Sequence, residues 1–145
     1  MSLALDANLL LFASDASSPH HARAAAFVRK CIAGPELVFV PWPAAMAYLR
    51  VATHPSVFRN PLTHAEAAGN LDLLLRQPHV RAIGELDEFW AHYQKATAGI
   101  VVRGNLVPDA HLVALLLQHG VTTLATHDRD FHKFDGIRVR DPLSE

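Results

Sequence analysis

Three aspartates, Asp6, Asp109 and Asp128, stand where apolar runs meet turns or helix starts, which is where a carboxylate can be offered to a cation. Asp6 ends the run Leu3-Ala4-Leu5 and is followed two residues on by Asn8; Asp109 opens the stretch DAHLVALLLQHG; Asp128 closes VTTLATHD. Carboxylates gathered at one edge repel one another, so burying them without a cation would raise their pKa values or open the site. Oxygen-only ligation with waters kept in place suits Mg²⁺ or Mn²⁺, ions that position a water for attack on a phosphodiester. A zinc site would want clustered His or Cys, but the 10 histidines are scattered, and His20-His21 and His127/His132 lack helical pair spacing. A lone D-x-N also describes an ordinary helix cap, so at this point Asp6 carries both readings.

The elements that must position these acids follow from the apolar pattern. Leu3 to Leu5 reads as a buried strand, with a helix starting near Leu9. His20 to Cys31 reads as a helix, Leu37 to Val40 as a second strand, and Ala44 to Ala52 as a helix with Pro43 in its first turn. Thr63 with Glu66 forms a capping box that opens a helix through Leu75. Val80 to Ile83 is a third strand, Asp87 is expected to cap a helix from Phe89 to Ala98, and Phe89, Trp90 and Tyr93 are assigned to packing. Gly99 to Leu106 is a loop, Asp109 starts the next helix, Gly120 stops it, and Val121 to Ala125 and Ile137 to Arg140 complete the strands. His111 is read as a core residue or one supporting Asp109. Alternating strands and helices predict an α/β domain, a parallel sheet between helical layers. Asp6, Asp109 and Asp128 can then converge at the carboxyl edge of the sheet, where open α/β folds bind ligands.

Composition bounds the function. A chain of 145 residues is one domain by length, and 50% hydrophobic content can fill a core. With 13 basic and 14 acidic residues the net charge is -1, so any nucleic acid must be held by a local set of cations. Arg50, Arg103 and Arg129, each within a few residues of a motif, are the candidates for that set. The lone Cys31 excludes an internal disulfide and fits a reducing compartment. Asp6 and Asp15 interrupt the N-terminal apolar stretch, no basic segment precedes it, and no run reaches a membrane span, so a cytoplasmic protein is expected.

Four stretches, LDAN at 5 to 8, LRVATHPSVFRNPL at 49 to 62, GNLVPDAHLVAL at 104 to 115 and THDRDF at 126 to 131, together resemble the PIN-domain ribonucleases of the VapC toxin type. The likeness runs from Leu3 to Pro142, and it is the order and spacing of the four that make it specific. It implies a single PIN domain over residues 1–145, folded as a three-layer α/β/α sandwich with a central parallel sheet. It also implies Mg²⁺-dependent (or Mn²⁺-dependent) endonucleolytic cleavage of RNA, homodimerisation, and neutralisation by a VapB-type antitoxin. Residue by residue, it makes Asp6, Asp109 and Asp128 the catalytic metal ligands, with Asn8 and Thr126 as supporting polar residues and Asp130 as an outer-shell group. Exposed apolar residues on the helices holding Ala44–Ala52 and Leu71–Leu75 would supply a groove for the antitoxin or a second subunit.

One departure is visible. Many members of that family carry a glutamate on the helix after the second strand, and Met46, Ala47 and Tyr48 stand there instead. Two alternatives therefore remain at the level of sequence. One is a non-catalytic module that binds RNA or a partner through a degenerate site. The other is a Mg²⁺-dependent phosphohydrolase, which is disfavoured by D-A-N in place of D-x-D.

Overall fold

The computed structural model describes residues 2–145. Five short segments form strands: β1 (Ser2–Leu5), β2 (Leu37–Pro41), β3 (Val80–Ile83), β4 (Thr123–Ala125) and β5 (Arg138–Arg140). They make one sheet in the order β3-β2-β1-β4-β5, and every pairing is parallel. After β1 the chain builds outward through β2 and β3, then returns to the other side of β1 for β4 and β5. The strand order thus reverses between β1 and β4, and a crevice opens beyond their carboxyl ends. Side chains alternate across the sheet, Leu3, Leu5, Val38 and Val40 entering one helical layer and Ala4, Phe39 and Leu124 the other. The outermost strands expose Arg81 and Arg138, charges that discourage edge-to-edge pairing.

Helices α1 (Ala7–Ser14), α2 (His21–Ala33), α3 (Trp42–Ala52) and α4 (His64–Leu75) cover the first face. Helices α5 (Phe89–Thr97) and α6 (Leu106–Gln118), with a 3₁₀ turn at Arg129–Lys133, cover the second. The three-layer α/β/α arrangement is the one the sequence pattern predicts. Helix α6 is buried over most of its circumference, with Ala110, Leu112, Val113, Ala114, Leu115 and Leu116 all enclosed, because it lies between the sheet and α5. Its end is fixed by the expected glycine: Gly120 takes φ 69°, its amide donates to Leu117 O at 3.1 Å, and the Val121 amide donates to Leu116 O at 3.0 Å. That bond pair closes the helix and lets the chain turn directly into β4.

Several boundaries differ from the expectation. Helix α6 begins at Leu106, so Asp109 is its fourth residue, at the end of the first turn, rather than its start; Pro108, lacking an N–H, fits the same turn. The residue before α5 is Glu88, at φ 66° and making no side-chain cap, so Asp87 does not cap that helix. Strand β4 is three residues long, because the Val121 amide closes helix α6 and the paired register begins at Thr123. Trp90, assigned to packing, is 65% exposed.

Candidate active site

Asp6 immediately follows β1 and Thr126 immediately follows β4, so the two sides of the crevice meet through their side chains. The Thr126 hydroxyl donates to Asp6 Oδ2 at 2.8 Å and accepts from Asn8 Nδ2 and from the Asp128 amide, each at 3.0 Å. Those three bonds fill the one donor and two acceptor positions of a hydroxyl, which explains how Thr126 is tolerated at 0% exposure. The Ala7 amide donates to Asp6 Oδ1 at 2.7 Å, so Asp6 caps α1 as well. The cap and the candidate ligand are therefore the same residue. Burial pushes the Asp6 carboxyl above its ordinary range; the Thr126 and Ala7 bonds oppose this, and the neighbouring charge of Asp128 adds to it.

Across the crevice, Asp109, Asp128 and Asp130 each bring a carboxylate oxygen within 4.8 Å of the others. Asp109 arrives from the first turn of α6, whose N-terminus is at the carboxyl edge because its C-terminus feeds the start of β4. Asp128 caps the 3₁₀ turn, its Oδ1 accepting the Asp130 amide at 2.9 Å, and that tight turn swings Asp130 back beside it. Asp6 is not one of the three that meet at this distance, although its charge is felt by Asp109. Burial first, then Asp128, Asp6 and Asp130, push Asp109 up to about 6, with Lys133 opposing. Lys133 Nζ is 3.3 Å from Asp130 Oδ1, a solvent-exposed pair. Four carboxylates thus share one crevice with one nearby ammonium, and their residual repulsion is what a divalent cation would relieve. The donors are oxygens, which suits a hard cation and not zinc.

Arg129 lies on the 3₁₀ turn between two of the acids, and Arg103 is exposed in the segment leading into α6. Arg50 is in the last turn of α3, a helix that starts at the carboxyl edge and descends about 12 Å before reaching it, so it is not brought to the acids. His111 is not a core residue; it is partly exposed and bonds Glu85 Oε1 through Nε2 at 2.5 Å, tying α6 to the segment after β3. Where a family glutamate would stand, Tyr48 is buried on the side of α1 and α4, its Oη bonded to Ser14 and Asn70, whereas Met46 is 50% exposed.

The apolar groove is also walled differently from the expectation. A cavity of about 320 Å³ is lined by Leu10 and Ala13 of α1, Val28 and Ile32 of α2, and Leu71 and Leu74 of α4. From helix α3, Tyr48 joins that lining. The sequence reading also missed a ring cluster beside the acids. His127 Nδ1 is 2.8 Å from Asp141 Oδ2, and the His127 ring lies 4.7 Å from that of His20 and 5.9 Å from that of Phe12. Nothing in the spacing of residues 12, 20, 127 and 141 announces it.

The chain and its fold have known relatives. The sequence matches the family model for the PIN domain over residues 3–137. It is 47% identical over 144 residues to ribonuclease VapC48 of Mycobacterium tuberculosis, covering 99% of both chains. Among solved structures, the fold resembles VapC20 of Mycobacterium tuberculosis, a Sarcin-Ricin loop cleaving toxin, with a TM-score of 0.66 at 15% identity, covering 94% of this chain and 98% of that one. It also resembles VapBC2 of Rickettsia felis, solved bound to a DNA fragment from the promoter, with a TM-score of 0.68 at 12% identity and coverage of 97% and 98%. At such identities these two likenesses speak to the fold.

Proposed function

Because the chain belongs to the PIN-domain family and to the VapC ribonucleases within it, we propose that it is an endoribonuclease, the toxin of a toxin–antitoxin pair, acting as one domain over residues 1–145. The observation that carries this reading is the crevice at the β1/β4 strand reversal, where Asp6, Asp109, Asp128 and Asp130 gather and Asp109 is pushed up to about 6. Asp109, Asp128 and Asp130 would hold Mg²⁺ or Mn²⁺, with Asp6 reaching it from the other wall. Asp130 thereby restores the carboxylate count lowered at Met46, Ala47 and Tyr48. When bound, such an ion supplies a nucleophilic water and neutralises charge on the scissile phosphate. The chain's own residues do the rest. Thr126 and Asn8 lock the Asp6 carboxylate, Asp128 and its capped turn fix the position of Asp130, and Arg129 and Arg103 meet phosphates flanking the cut. Each such contact on single-stranded RNA would add about -0.7 to the slope of log affinity against log salt.

The groove walled by α1, α2 and α4 suits an apolar segment of a VapB-type antitoxin, by the helix-in-groove mode of recognition. Exposed Trp42 and Met46 of α3, with Leu86, Trp90 and Val101 from α5 and its flanks and Val107 of α6, are surface that a homodimer would cover. No helix among the described residues is long and apolar enough to cross a membrane. A cytoplasmic location accords with the single thiol, Cys31, which is free and buried.

Purified protein incubated with single-stranded RNA and Mg²⁺ should cleave it, and chelation with EDTA should abolish cleavage. Asp109→Asn, nearly isosteric, should retain the fold and lose at least about 100-fold in cleavage rate. Cleavage that survives both chelation and this substitution would favour metal-independent chemistry and sink the assignment.

A further inference from the structure

The ring cluster beside the acids has no role in the chemistry described so far. His127 stands between Thr126 and Asp128, and its backbone is held by neighbours: its amide donates to Asn8 Oδ1 at 3.4 Å, and the Thr126 amide before it donates to Arg140 O at 3.0 Å. Its ring is oriented from behind by Asp141, whose carboxylate also accepts from the Leu143 amide at 3.0 Å and from Ser144 Oγ at 2.9 Å. With Asp141 as the acceptor, Nδ1 carries the hydrogen of that bond, and the His127 side chain is 36% exposed. His20 lies against it at 4.7 Å between ring centroids, and Phe12 meets His20 edge-on at 4.9 Å. His20 is also the residue at the start of α2, where a side chain commonly caps the helix, yet it makes no such bond. Its amide is satisfied by Ser18 Oγ at 3.1 Å, and its ring is packed against those of Phe12 and His127.

We propose that His20 and His127, backed by Phe12 and Asp141, form a nucleotide subsite next to the acid crevice that stacks one base of the RNA strand. This rests on the reading of the chain as a ribonuclease. Physical demands favour the arrangement. The crevice itself is acidic and cannot hold phosphates unaided, so the strand needs purchase beside it. Single-stranded RNA is gripped in large part by stacking its unpaired bases on aromatic or imidazole faces. A ring pair adjoining Asp128 in sequence, rigidly oriented and partly open to solvent, meets that demand. It lies on the side of the crevice formed by α1, the start of α2 and the segment after β5. The exposed apolar residues of α3 and α5 lie elsewhere on the chain.

The test is binding of a fluorescein-labelled single-stranded RNA of mixed sequence, followed by anisotropy in EDTA, alongside KM and kcat for its cleavage in Mg²⁺. His20→Ala should weaken binding and raise KM by about five- to tenfold, the lower part of what one stacked base contributes, with kcat little changed. His20→Phe, which keeps a stacking face, should restore both, and the affinity of each variant for Mn²⁺ should match wild type. Unchanged binding and KM in His20→Ala would overturn the subsite, as would a loss confined to kcat, which would mean that the cluster only props the acids. A melting temperature lowered equally in His20→Ala and His20→Phe, with no recovery of binding in the latter, would also overturn it in favour of packing. Failure of the ribonuclease reading looks different: wild type would bind the RNA, His20-dependently, without cutting it.

Discussion

Glu66 and Asp109 both lie in the first turn of a helix, where unsatisfied amides favour negative charge, and the fold treats them in opposite ways. Glu66 accepts the Thr63 amide at 2.9 Å while its own amide donates to Thr63 Oγ1 at 3.1 Å, and the Thr63 bonds hold its carboxyl below the usual range. Asp109 is partly enclosed beside three other carboxylates, and no hydrogen bond offsets the rise in its pKa. Helix position therefore does not decide what an acid does; its neighbours do. The charge of Glu66 is answered locally and helps to start α4. The charge of Asp109 is held against repulsion by the rest of the fold, an arrangement that makes physical sense if a cation completes it.

Asp6 would break this comparison most sharply, because it belongs to both classes. Asp6→Ala should abolish RNA cleavage and also destabilise the protein by roughly 2–4 kcal/mol, since it removes the α1 cap and leaves the buried Thr126 hydroxyl without its acceptor. Asp109→Asn should lose cleavage with no such cost. Thermal melts of the two variants separate the cases; equal destabilisation would mean that Asp109 is structural too.

A smaller effect lies in pH. Asp109 titrates near 6 in the fold against 3.8 ordinarily, so between those values the folded state binds more protons than the unfolded one. Its contribution to the stability of the metal-free protein therefore falls as pH rises through that window and is least favourable above it. Melting temperature compared between wild type and Asp109→Asn from pH 4 to pH 7 isolates this group from the other acids. The variant should gain on wild type as pH rises, by a few degrees at the scale of about 2–4 °C per kcal/mol for a domain this size. Added Mg²⁺ should close the gap at pH 7. A difference that stays flat with pH would remove the claim that Asp109 is held in repulsion.

The smallest effect belongs to the other acid's box. Thr63→Ala should cost about 1 kcal/mol and leave RNA cleavage untouched. A loss of cleavage there would show that α4 supports the crevice, which the separation of the two regions denies.

The same contrast explains what was legible in the sequence. The Thr63/Glu66 box and the Gly120 stop are local devices with fixed offsets, and both stand where the residues put them. The alternation of strands and helices gives the three layers for the same reason. Asp6, Asp109 and Asp128 could be picked out by their positions at run ends, and the strand reversal between β1 and β4 brings the elements that carry them to one crevice. Asp130 could not be weighed properly, because its place beside Asp109 depends on how tightly residues 129–133 turn. Arg50 was chosen for its nearness to a motif in sequence, and the direction in which α3 runs carries it away. The walls of the groove and the meeting of His20 with His127 are tertiary facts, joining residues with no shared period. Glu88 replaced Asp87 at the entry to α5 because the backbone there turns through positive φ and no side chain caps it.

The central claim, that Asp109 is held without a hydrogen-bond partner in order to meet a cation, is tested most directly by calorimetric titration of Mn²⁺ into metal-free protein at pH 7. Saturable binding to wild type is expected, with loss of that binding in Asp109→Asn and the fold intact by circular dichroism. Equal Mn²⁺ binding by the two proteins would contradict it.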